Sequence, residues 1–568
     1  MALTPEMRAF IDAPDTVDFI TRSSDAFLDF VRTSGQVLLT QRLNHRYLLG
    51  YIKARDFPNL ARALGPAFLS SVPVVLGPLD RADLESSGIL QVQDQPYLGL
   101  RGQGVLLGIV DTGIDYTQPV FRYEDGSSKI RFLYDQSAQG TPPEGFTQGV
   151  EYTGEQITAA LKARDPYAAV PQRDENGHGT FLASVAAGRP QGDFTGAAPD
   201  AGIIAVKLRP AREFYREMYC VPPGQQYAYA STAVMVGVEY IRRKARELDQ
   251  PVVICLGLGT NFGGHDGFSV FEEFLSGVAV QSGVCLCAAG GNEGQERHHA
   301  EGRLTAAGDS RTIDLKIGER AGDVYLAVWN GLSDRLSLSV RSPSGELVGR
   351  VPARSGRREK VKLILEDARV QVEYHFPLEG TGSQVSVVRI LGATPGIWTV
   401  TVHGDQVLSG VYHAWLPMAG FVSPTVEFLS ASPRCTVTSP ATAIGLMACG
   451  AYNSANHSIY PPSSRGPSRL GALLPDLVAP GVGVGGFYPF GHGEMSGTSA
   501  AAAILAGACA LLMQWGVVEG NEPAMSTSQI RAYLLRGCVR SPAVTYPNDQ
   551  WGYGALQLMQ AFHLMREI

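Results

Sequence analysis

The chain has 568 residues, 45% hydrophobic and 18% charged, with 47 basic and 54 acidic side chains and a net charge of −7. This length is too great for one hydrophobic core and predicts two to four domains. The acidic balance, with an isoelectric point near 5.9, argues against a nucleic-acid partner.

The N-terminal stretch "MALTPEMRAFIDAPDTVDF" carries four carboxylates and no long apolar segment. It therefore lacks the pattern of a secretory signal peptide. The longest apolar run, Ala500–Met513, is rich in alanine and we expect it to be too short to span a bilayer. We expect no membrane partner and, on these features alone, a cytoplasmic location.

Residues 1 to about 80 form a predicted α+β leader. Within it, "GQVLLTQRLNHRYLLGYIKARDFPNLARALG" predicts a strand, a turn, a second strand and a helix. The apolar segment "LSSVPVVLG" follows.

From Arg101 the pattern changes to short apolar runs that end in glycine, such as "GVLLGIVDTG", "AGIIAVKL", "PVVICLGLG" and "GVCLCAAGG". Helical stretches such as "STAVMVGVEYIRRKAREL" lie between several of them. Apolar strands without polar alternation, separated by helices, indicate a parallel sheet with helices on both faces. The predicted fold class is therefore α/β.

At about residue 303 the pattern becomes one of alternating strands separated by turns, including "VYLAVWN", "VQVEYHFP" and "QVSVVRIL". With no helix between them, these strands predict an antiparallel β-sandwich. The α/β pattern returns near Cys435, so the sandwich is expected to be inserted into the α/β domain. The predicted domains are residues 1–80, 81–302, 303–430 and 431–568.

Eight cysteines are present, most of them in apolar strings where a free thiol behaves as a small buried hydrophobe. We expect all of them to be reduced. We also expect Cys285 and Cys287, on one predicted strand, to point to opposite faces and share no metal. No metal site and no cofactor are predicted.

Four polar residues lie beside glycines at the ends of predicted strands or the starts of predicted helices. They are Asp111 in "GIVDTGID", His178 in "DENGHGTFLASVAAG", Asn292 in "AAGGNEG" and Ser499 in "GTSAAAA". Each alone has a structural explanation, as a turn residue or a helix cap. Ligand sites in parallel sheets gather at the carboxyl ends of the strands, where distant segments of the chain converge. The presence of all four polar residues in this order therefore favours a shared function.

The order of these motifs resembles the subtilisin-like serine proteases. The resemblance covers residues 101 to 300 and 431 to 562, and includes "GAAPDAGIIAVKL", "TSPATA", "SSRGP" and "PDLVAPGV". It implies that Ser499 is a nucleophile, that His178 is its general base and that Asp111 orients the imidazole. Asn292 and the Ser499 backbone N–H would stabilise the oxyanion.

The same resemblance implies that an extended substrate peptide pairs with Gly257, Leu258 and Gly259. Some positions depart from the usual family sequence, since Ala500–Ala503 and Ile504 follow the nucleophile and Phe181 replaces a histidine. The calcium sites frequent in the family have no acidic cluster here that we would name.

A leader without a signal peptide, an inserted sandwich and "GTSAAAA" together resemble the Csp spore-germination subtilases. That resemblance implies a protease stored in the spore that activates the precursor of a cortex-lytic hydrolase. It also implies a jelly-roll-like sandwich and a prodomain that is cut off by the protease itself and stays docked. We predict the cut between Leu76 and Leu84, centred on Asp80–Arg81.

Two other functions remain open on the sequence. One is a general bacterial subtilase with broad peptide substrates. The other is a subtilase-fold scaffold that cuts itself once and then acts only by binding.

Overall fold

The computed structural model describes residues 5–11, 13, 15–22, 25–42, 47–64, 82–378 and 380–565. They belong to two compact units, residues 1–78 and residues 79–568. The predicted self-cleavage bond, Asp80–Arg81, lies outside the described residues and stays a prediction.

The first unit is a small three-stranded antiparallel sheet with helices. Its elements are α1 (Pro5–Ile11), β1 (Thr16–Arg22), α2 (Asp25–Ser34), β2 (Val37–Arg42), β3 (Tyr47–Lys53) and α3 (Phe57–Leu64). The strand order is β1-β3-β2, and the side chains of Phe19, Phe27, Ile52 and Leu60 form the core. The strands β2 and β3 and the helix α3 match the strand, strand and helix predicted from the sequence.

The second unit begins with an α/β region. Its elements up to residue 289 are α4 (Ala82–Ser86), α5 (Ile89–Asp94), β4 (Leu106–Asp111), β5 (Ile130–Asp135), β6 (Val150–Thr153), α6 (Gly154–Leu161), α7 (Pro166–Ala169), α8 (His178–Ala187), β7 (Gly202–Lys207), α9 (Glu213–Met218), α10 (Ser231–Glu247), β8 (Val252–Leu256), α11 (Val270–Ala279) and β9 (Val284–Ala289).

The chain returns to this α/β region after residue 446. The later elements are β21 (Met447–Asn453), β22 (Ser458–Ile459), β23 (Leu477–Pro480), β24 (Val484–Tyr488), β25 (Gly491–Met495), α12 (Thr498–Met513), α13 (Thr527–Gly537) and α14 (Leu558–Met565). The strand order of the large sheet is β22-β21-β9-β8-β4-β7-β5-β6, with β23 also beside β21. Strands β21, β9, β8, β4, β7 and β5 are mutually parallel.

Helices cover both faces of this sheet, which confirms the predicted fold class. Successive residues of a strand face opposite sides, so Leu107 packs with α8 and α12 while Leu106 packs with α10 and α11. Every residue of β4 is buried. Burial on both sides explains why these strands are uniformly apolar in the sequence.

The helix α12 carries the apolar run Ala500–Met513 and, with the π-helical turn that follows, extends over Thr498–Val518. These 21 residues have a mean hydropathy of 1.9 in their most apolar window, so the helix is long and apolar enough to cross a membrane. The expectation concerned the shorter run Ala500–Met513 alone, and the helical segment that contains this run is longer at both ends. Since 83% of that window is buried inside the protein, the segment is a core helix here.

Two antiparallel sheets lie between residues 299 and 428. Their strands are β10 (His299–Arg303), β11 (Ser310–Ile317), β12 (Val324–Asn330), β13 (Arg335–Arg341), β14 (Leu347–Val351), β15 (Arg358–Lys362), β16 (Arg369–His375), β17 (Gln384–Leu391), β18 (Gly396–Gln406), β19 (Val411–Trp415) and β20 (Glu427–Phe428). The sheet orders are β10-β19-β12-β17-β16-β15 and β14-β13-β18-β11-β20. Buried residues from both sheets form one shared core, as in a sandwich.

This sandwich occupies the connection between two adjacent strands of the large sheet. Strand β9 ends at Ala289, and its parallel neighbour β21 begins at Met447. The first sandwich strand begins at His299, so the chain leaves the α/β region after Asn292 and returns to it well before Ser499.

Candidate active site

Asp111 and His178 form the first part of the candidate site. Asp111 is the last residue of β4, and His178 is the first residue of α8. The imidazole Nδ1 of His178 lies 2.8 Å from Oδ1 of Asp111, and the backbone N–H of Thr112 donates to the same oxygen at 2.8 Å. The Asp111 side chain is 1% exposed and that of His178 is 23% exposed, so the carboxylate is sheltered and the imidazole reaches the surface.

The surroundings of His178 set its proton affinity. Burial lowers the pKa of His178, but the charge of Asp111, the hydrogen bond to it and the charge of Asp174 raise that pKa. The net pKa lies above the ordinary value of a histidine. A carboxylate in this position stabilises the imidazolium that forms when His178 accepts a proton.

Ser499 approaches the same place from the N-terminal turn of α12. Its Oγ donates a hydrogen bond to the carbonyl oxygen of Gly257 at 2.9 Å. A Cβ atom at Gly257 would lie 2.9 Å from Cε1 of His178 and 3.3 Å from Oδ2 of Asp111. Gly257 thus contacts all three predicted catalytic side chains, and only a glycine leaves room for the imidazole beside it.

Asn292 is oriented by the residue before the serine. Its Oδ1 accepts the backbone N–H of Thr498 at 3.0 Å and the Thr498 hydroxyl at 3.2 Å. The backbone N–H of Gly291 donates to that hydroxyl oxygen, so the hydroxyl proton points to Asn292. With Oδ1 engaged, the Nδ2 group of the exposed Asn292 side chain has no acceptor among the described residues, so it can donate to an oxyanion.

Gly497 brings the start of α12 close to this amide. Its φ of +155° lies outside the range that L side chains readily adopt, and a Cβ there would lie 3.2 Å from Nδ2 of Asn292. The N–H groups of the first helical turn, Ser499 included, have no acceptors within the helix. The positive end of α12 is therefore directed at the same place as the Asn292 amide.

Gly257, Leu258 and Gly259 continue the chain beyond the end of β8. The next residue, Thr260, forms a reciprocal pair of backbone hydrogen bonds with Ser439. Within the described ranges, the N–H groups of Leu258 and Gly259 donate to no backbone acceptor. This segment therefore has an open edge to which an extended peptide can add.

A cavity of about 510 Å³ lies along this edge. One wall comes from His178 and the Gly257–Thr260 segment, and another comes from aromatic residues between β7 and α10, such as Tyr227 and Tyr229. Met418 and Phe421, which follow the sandwich strand β19, line it as well. The sandwich thus contributes side chains to the cavity beside His178, which the sequence did not indicate.

Glu293 is a second residue that the sequence did not single out. It follows Asn292 and is 4% exposed, and its carboxylate lies 2.7 Å from Nδ1 of His298. The side chain of Asn261 and the backbone N–H of Ala419 also donate to it, at 3.0 and 2.9 Å. Glu293 therefore fastens the loop of Asn292 to the segment that carries Met418 and Phe421.

The cysteines give one correction. Cys285 and Cys287 lie on the same side of β9, because residues two apart on a strand face the same way, and the expectation of opposite faces is wrong. Their sulfur atoms and that of Cys509 lie within 4.8 Å of one another, all buried. All eight cysteines are buried and none forms a disulfide.

The chain is similar to known proteins over most of its length. A model of the subtilase family matches residues 102–313 and 429–554, which is more than half of the chain. The solved structure of the Clostridium perfringens CspB protease is 30% identical with a TM-score of 0.76, and the match covers 86% of this chain and 99% of that chain.

A curated relative is more distant. The minor extracellular protease Vpr of Bacillus subtilis (strain 168) is 22% identical over 506 residues, or 84% of this chain, and the match spans 54% of the length of Vpr. The family match and the similarity to CspB confirm the resemblance that the motifs indicated. The chain belongs to the subtilase family of serine proteases.

Proposed function

We propose that this subtilase is an endopeptidase in which Asp111, His178 and Ser499 act together as a catalytic triad. The observation that carries the proposal is the meeting of all three side chains around Gly257. The Ser499 hydroxyl turns from the Gly257 carbonyl to Nε2 of His178 when a substrate binds. Such hydrogen bonds commonly form only in the complex with substrate.

Each group then has a defined task. His178 accepts the Ser499 proton as Oγ attacks the peptide carbonyl, and Asp111 stabilises the imidazolium through Nδ1–H. The Nδ2 group of Asn292 and the Ser499 backbone N–H donate to the oxyanion. His178 next gives its proton to the leaving amine, which leaves an acyl-enzyme on Ser499. In the second half of the reaction a water molecule attacks the acyl carbonyl, His178 accepts the proton of that water, and His178 then returns a proton to Oγ of Ser499.

The substrate peptide binds as an extended strand against Gly257, Leu258 and Gly259. Backbone pairing supplies affinity for any sequence, and the adjoining cavity supplies selection. The aromatic and methionine side chains that line this cavity favour a substrate with a large apolar side chain on the acyl side of the cleaved bond.

We further propose a role in spore germination, as an activator of the precursor of a cortex-lytic hydrolase. The support is the similarity to the CspB protease over nearly the whole of that chain. In this proposal residues 1–80 are a prodomain that Ser499 removes by cutting at or near Asp80–Arg81, and the protein resides in the spore. The prodomain can then remain as a bound partner.

The experiment compares wild type with the Ser499→Ala variant, each as the full chain. Wild type should give a fragment of about 80 residues and a large remainder on a denaturing gel, and Ser499→Ala a single band. Each protein is then incubated with a purified cortex-hydrolase precursor and, separately, with an unrelated denatured protein.

The results separate three functions. Cleavage of the precursor at one bond, with the denatured protein left intact, supports an activating protease. Cleavage of both substrates indicates a general subtilase. Self-cleavage without cleavage of any added protein indicates a scaffold, and two fragments from Ser499→Ala would overturn the assignment of Ser499 to self-processing.

A further inference from the structure

A second group of chemically active side chains lies where the sandwich joins the α/β region. Strands β10 and β19 pair at one edge of the six-stranded sheet, and Glu301 lies opposite His413 in that pair. Donor atoms of Glu301, His413 and Cys435 all lie within 4.8 Å of one another. Nε2 of His299 lies 3.1 Å from Nδ1 of His413, so a second imidazole borders this group.

These side chains are held in position by neighbours. Nδ1 of His299 lies 3.3 Å from the carbonyl oxygen of Ser432, which fixes the proton on Nδ1 and leaves the lone pair of Nε2 directed at His413. The hydroxyl of Ser432 donates to Oε1 of Glu301 at 2.9 Å, while Oε2 lies 3.9 Å from Nδ1 of His413. Outer hydrogen bonds of this kind orient the ligands of metal sites.

Cys435 has an unusual backbone conformation. Its φ is +53°, in the left-handed region that non-glycine residues rarely adopt, and the residue is 4% exposed. Its thiol makes no hydrogen bond among those of the described residues, although its backbone carbonyl accepts from the indole of Trp415 at 3.1 Å. A left-handed backbone that places a buried thiol beside the His413 imidazole and the Glu301 carboxylate indicates a functional constraint.

We propose that Glu301, His413 and Cys435 bind one zinc ion, with a solvent molecule in the fourth position. An imidazole, a thiolate and a carboxylate are ligands that zinc prefers, and together they do not suit calcium or magnesium. In a tetrahedron with bonds of about 2.0 to 2.1 Å, nitrogen and oxygen ligands lie roughly 3.3 to 3.4 Å apart. Nδ1 of His413 and Oε2 of Glu301 lie 3.9 Å apart, so these two ligands need to approach each other by roughly half an ångström.

Protons and charges balance in this site. Binding releases the proton of the Cys435 thiol to solvent, and the proton of His413 moves from Nδ1 to Nε2. The thiolate and the Glu301 carboxylate then neutralise the two charges of the ion. The two arginines whose charges act on His413 are already paired, Arg469 with Asp266 and Arg434 with Asp549.

The position of the site gives the ion a structural role. β10 opens the sandwich, β19 is its last long strand, and Cys435 lies on the segment that leads back to β21. One zinc ion would thus join the outgoing and returning crossings of the chain. It would strengthen the attachment of the sandwich, and hence of the Met418 and Phe421 segment beside the catalytic site.

The test uses the full chain after dialysis against a chelator. Zinc is added in steps and its binding is followed by calorimetry, and the thermal unfolding midpoint is recorded with and without zinc. Cobalt(II) is used as a spectroscopic substitute, because a thiolate ligand gives a charge-transfer band in the near ultraviolet. The Ser499→Ala variant serves as the background, which prevents self-cleavage from changing the sample.

We expect one zinc per chain, a midpoint that rises by about 3 °C or more in excess zinc, and a cobalt–thiolate band. Cys435→Ser and His413→Gln should each lose the zinc binding, the rise of the unfolding midpoint and the cobalt–thiolate band. Cys220→Ser is the matched control, because Cys220 is also buried and has a φ of +53° but lies in no such donor group, and it should behave as the background does.

Three results would overturn the proposal. They are no zinc binding by the background protein, equal binding by Cys435→Ser, and a cobalt spectrum without a thiolate band. Loss of binding in Cys509→Ser with retention in Cys435→Ser would instead assign the ion to the buried cysteines of the large sheet. If Cys435→Ser fails to fold, the spectrum of the background protein and the His413→Gln titration still decide the question.

Discussion

The hydroxyl of Ser499 donates a hydrogen bond to the carbonyl oxygen of Gly257, 242 positions earlier in the chain, at 2.9 Å. The same glycine lies against His178 and Asp111. We therefore expect this residue, just beyond the end of β8, to set the spacing of the proposed catalytic group, so that a change of its size disturbs catalysis more than stability.

Gly257→Ala tests this spacing. The added Cβ would lie 2.3 Å from Cδ1 of Leu182 and 2.9 Å from Cε1 of His178, so the imidazole has to move. A misplacement of about 1 Å at a catalytic group costs roughly 100-fold in rate, and we expect kcat for peptide hydrolysis to fall by that factor. Gly277→Ala is the control, since a Cβ there meets nothing within 4 Å, and equal rates for the two variants would contradict the prediction.

The pH dependence follows from His178. Its pKa lies above the ordinary value near 6.5, and a protonated imidazole cannot accept the serine proton. We expect kcat/KM to rise with pH, with an inflection above pH 6.5. NMR titration of His178 in the Ser499→Ala variant should also give an inflection above pH 6.5, and this inflection should move to lower pH when Asp111 is changed to Asn. An inflection that does not move in the Asp111→Asn background would refute the assigned pairing.

The same pKa has a consequence for stability with a defined sign. Because folding raises the pKa of His178, the ion pair with Asp111 stabilises the protein fully below the pKa of an unfolded histidine. That contribution is lost as the pH rises through the folded value. Chemical denaturation of wild type and Asp111→Asn at pH 5 and pH 9 should show the larger difference at pH 5.

Asn292→Ala tests the proposed oxyanion donor. Loss of one such donor costs about 100- to 1000-fold in kcat with little change in KM, a magnitude measured in subtilisin. Thr498→Val is the informative companion, because it keeps the backbone N–H to Asn292 and removes the hydroxyl that helps to orient the amide. It should lose less than Asn292→Ala, and an unchanged kcat in Asn292→Ala would remove this residue from the mechanism.

Phe421→Ala tests the part that the sandwich plays in substrate selection. Shortening a side chain in the wall of an apolar pocket costs about 10-fold or more in discrimination, so kcat/KM should fall for peptides with a large apolar residue on the acyl side. Peptides with alanine at that position should be affected little. Leu408→Ala, a sandwich residue that is 84% exposed, is the control, and a uniform loss for all peptides would contradict a role in selection.

The sequence predicted where the candidate catalytic side chains lie in the fold, because each one is tied to a local pattern. Asp111 closes an apolar strand, His178 and Ser499 open helices, and glycines mark the turns around them. The ends of parallel strands share one edge of the sheet, so local patterns were enough to predict where distant segments meet.

Other features depend on contacts between distant segments, which single-sequence patterns do not contain. Met418 and Phe421 reach the cavity because the sandwich is anchored beside it, partly through Glu293. Strand β10, "HAEGR", has little strand propensity of its own and forms because β19 supplies a partner. The error over Cys285 and Cys287 was one of strand periodicity, and the sequence alone was sufficient to avoid it.

The most direct measurement of the triad is a comparison of Ser499→Ala, His178→Ala and the double variant on one peptide substrate. Side chains that act as a unit are not additive, so the account predicts that each single variant loses most of the activity and that the double variant is no worse than Ser499→Ala. Losses that multiply in the double variant, or a Ser499→Ala protein that still cleaves the peptide at the wild-type rate, would contradict it.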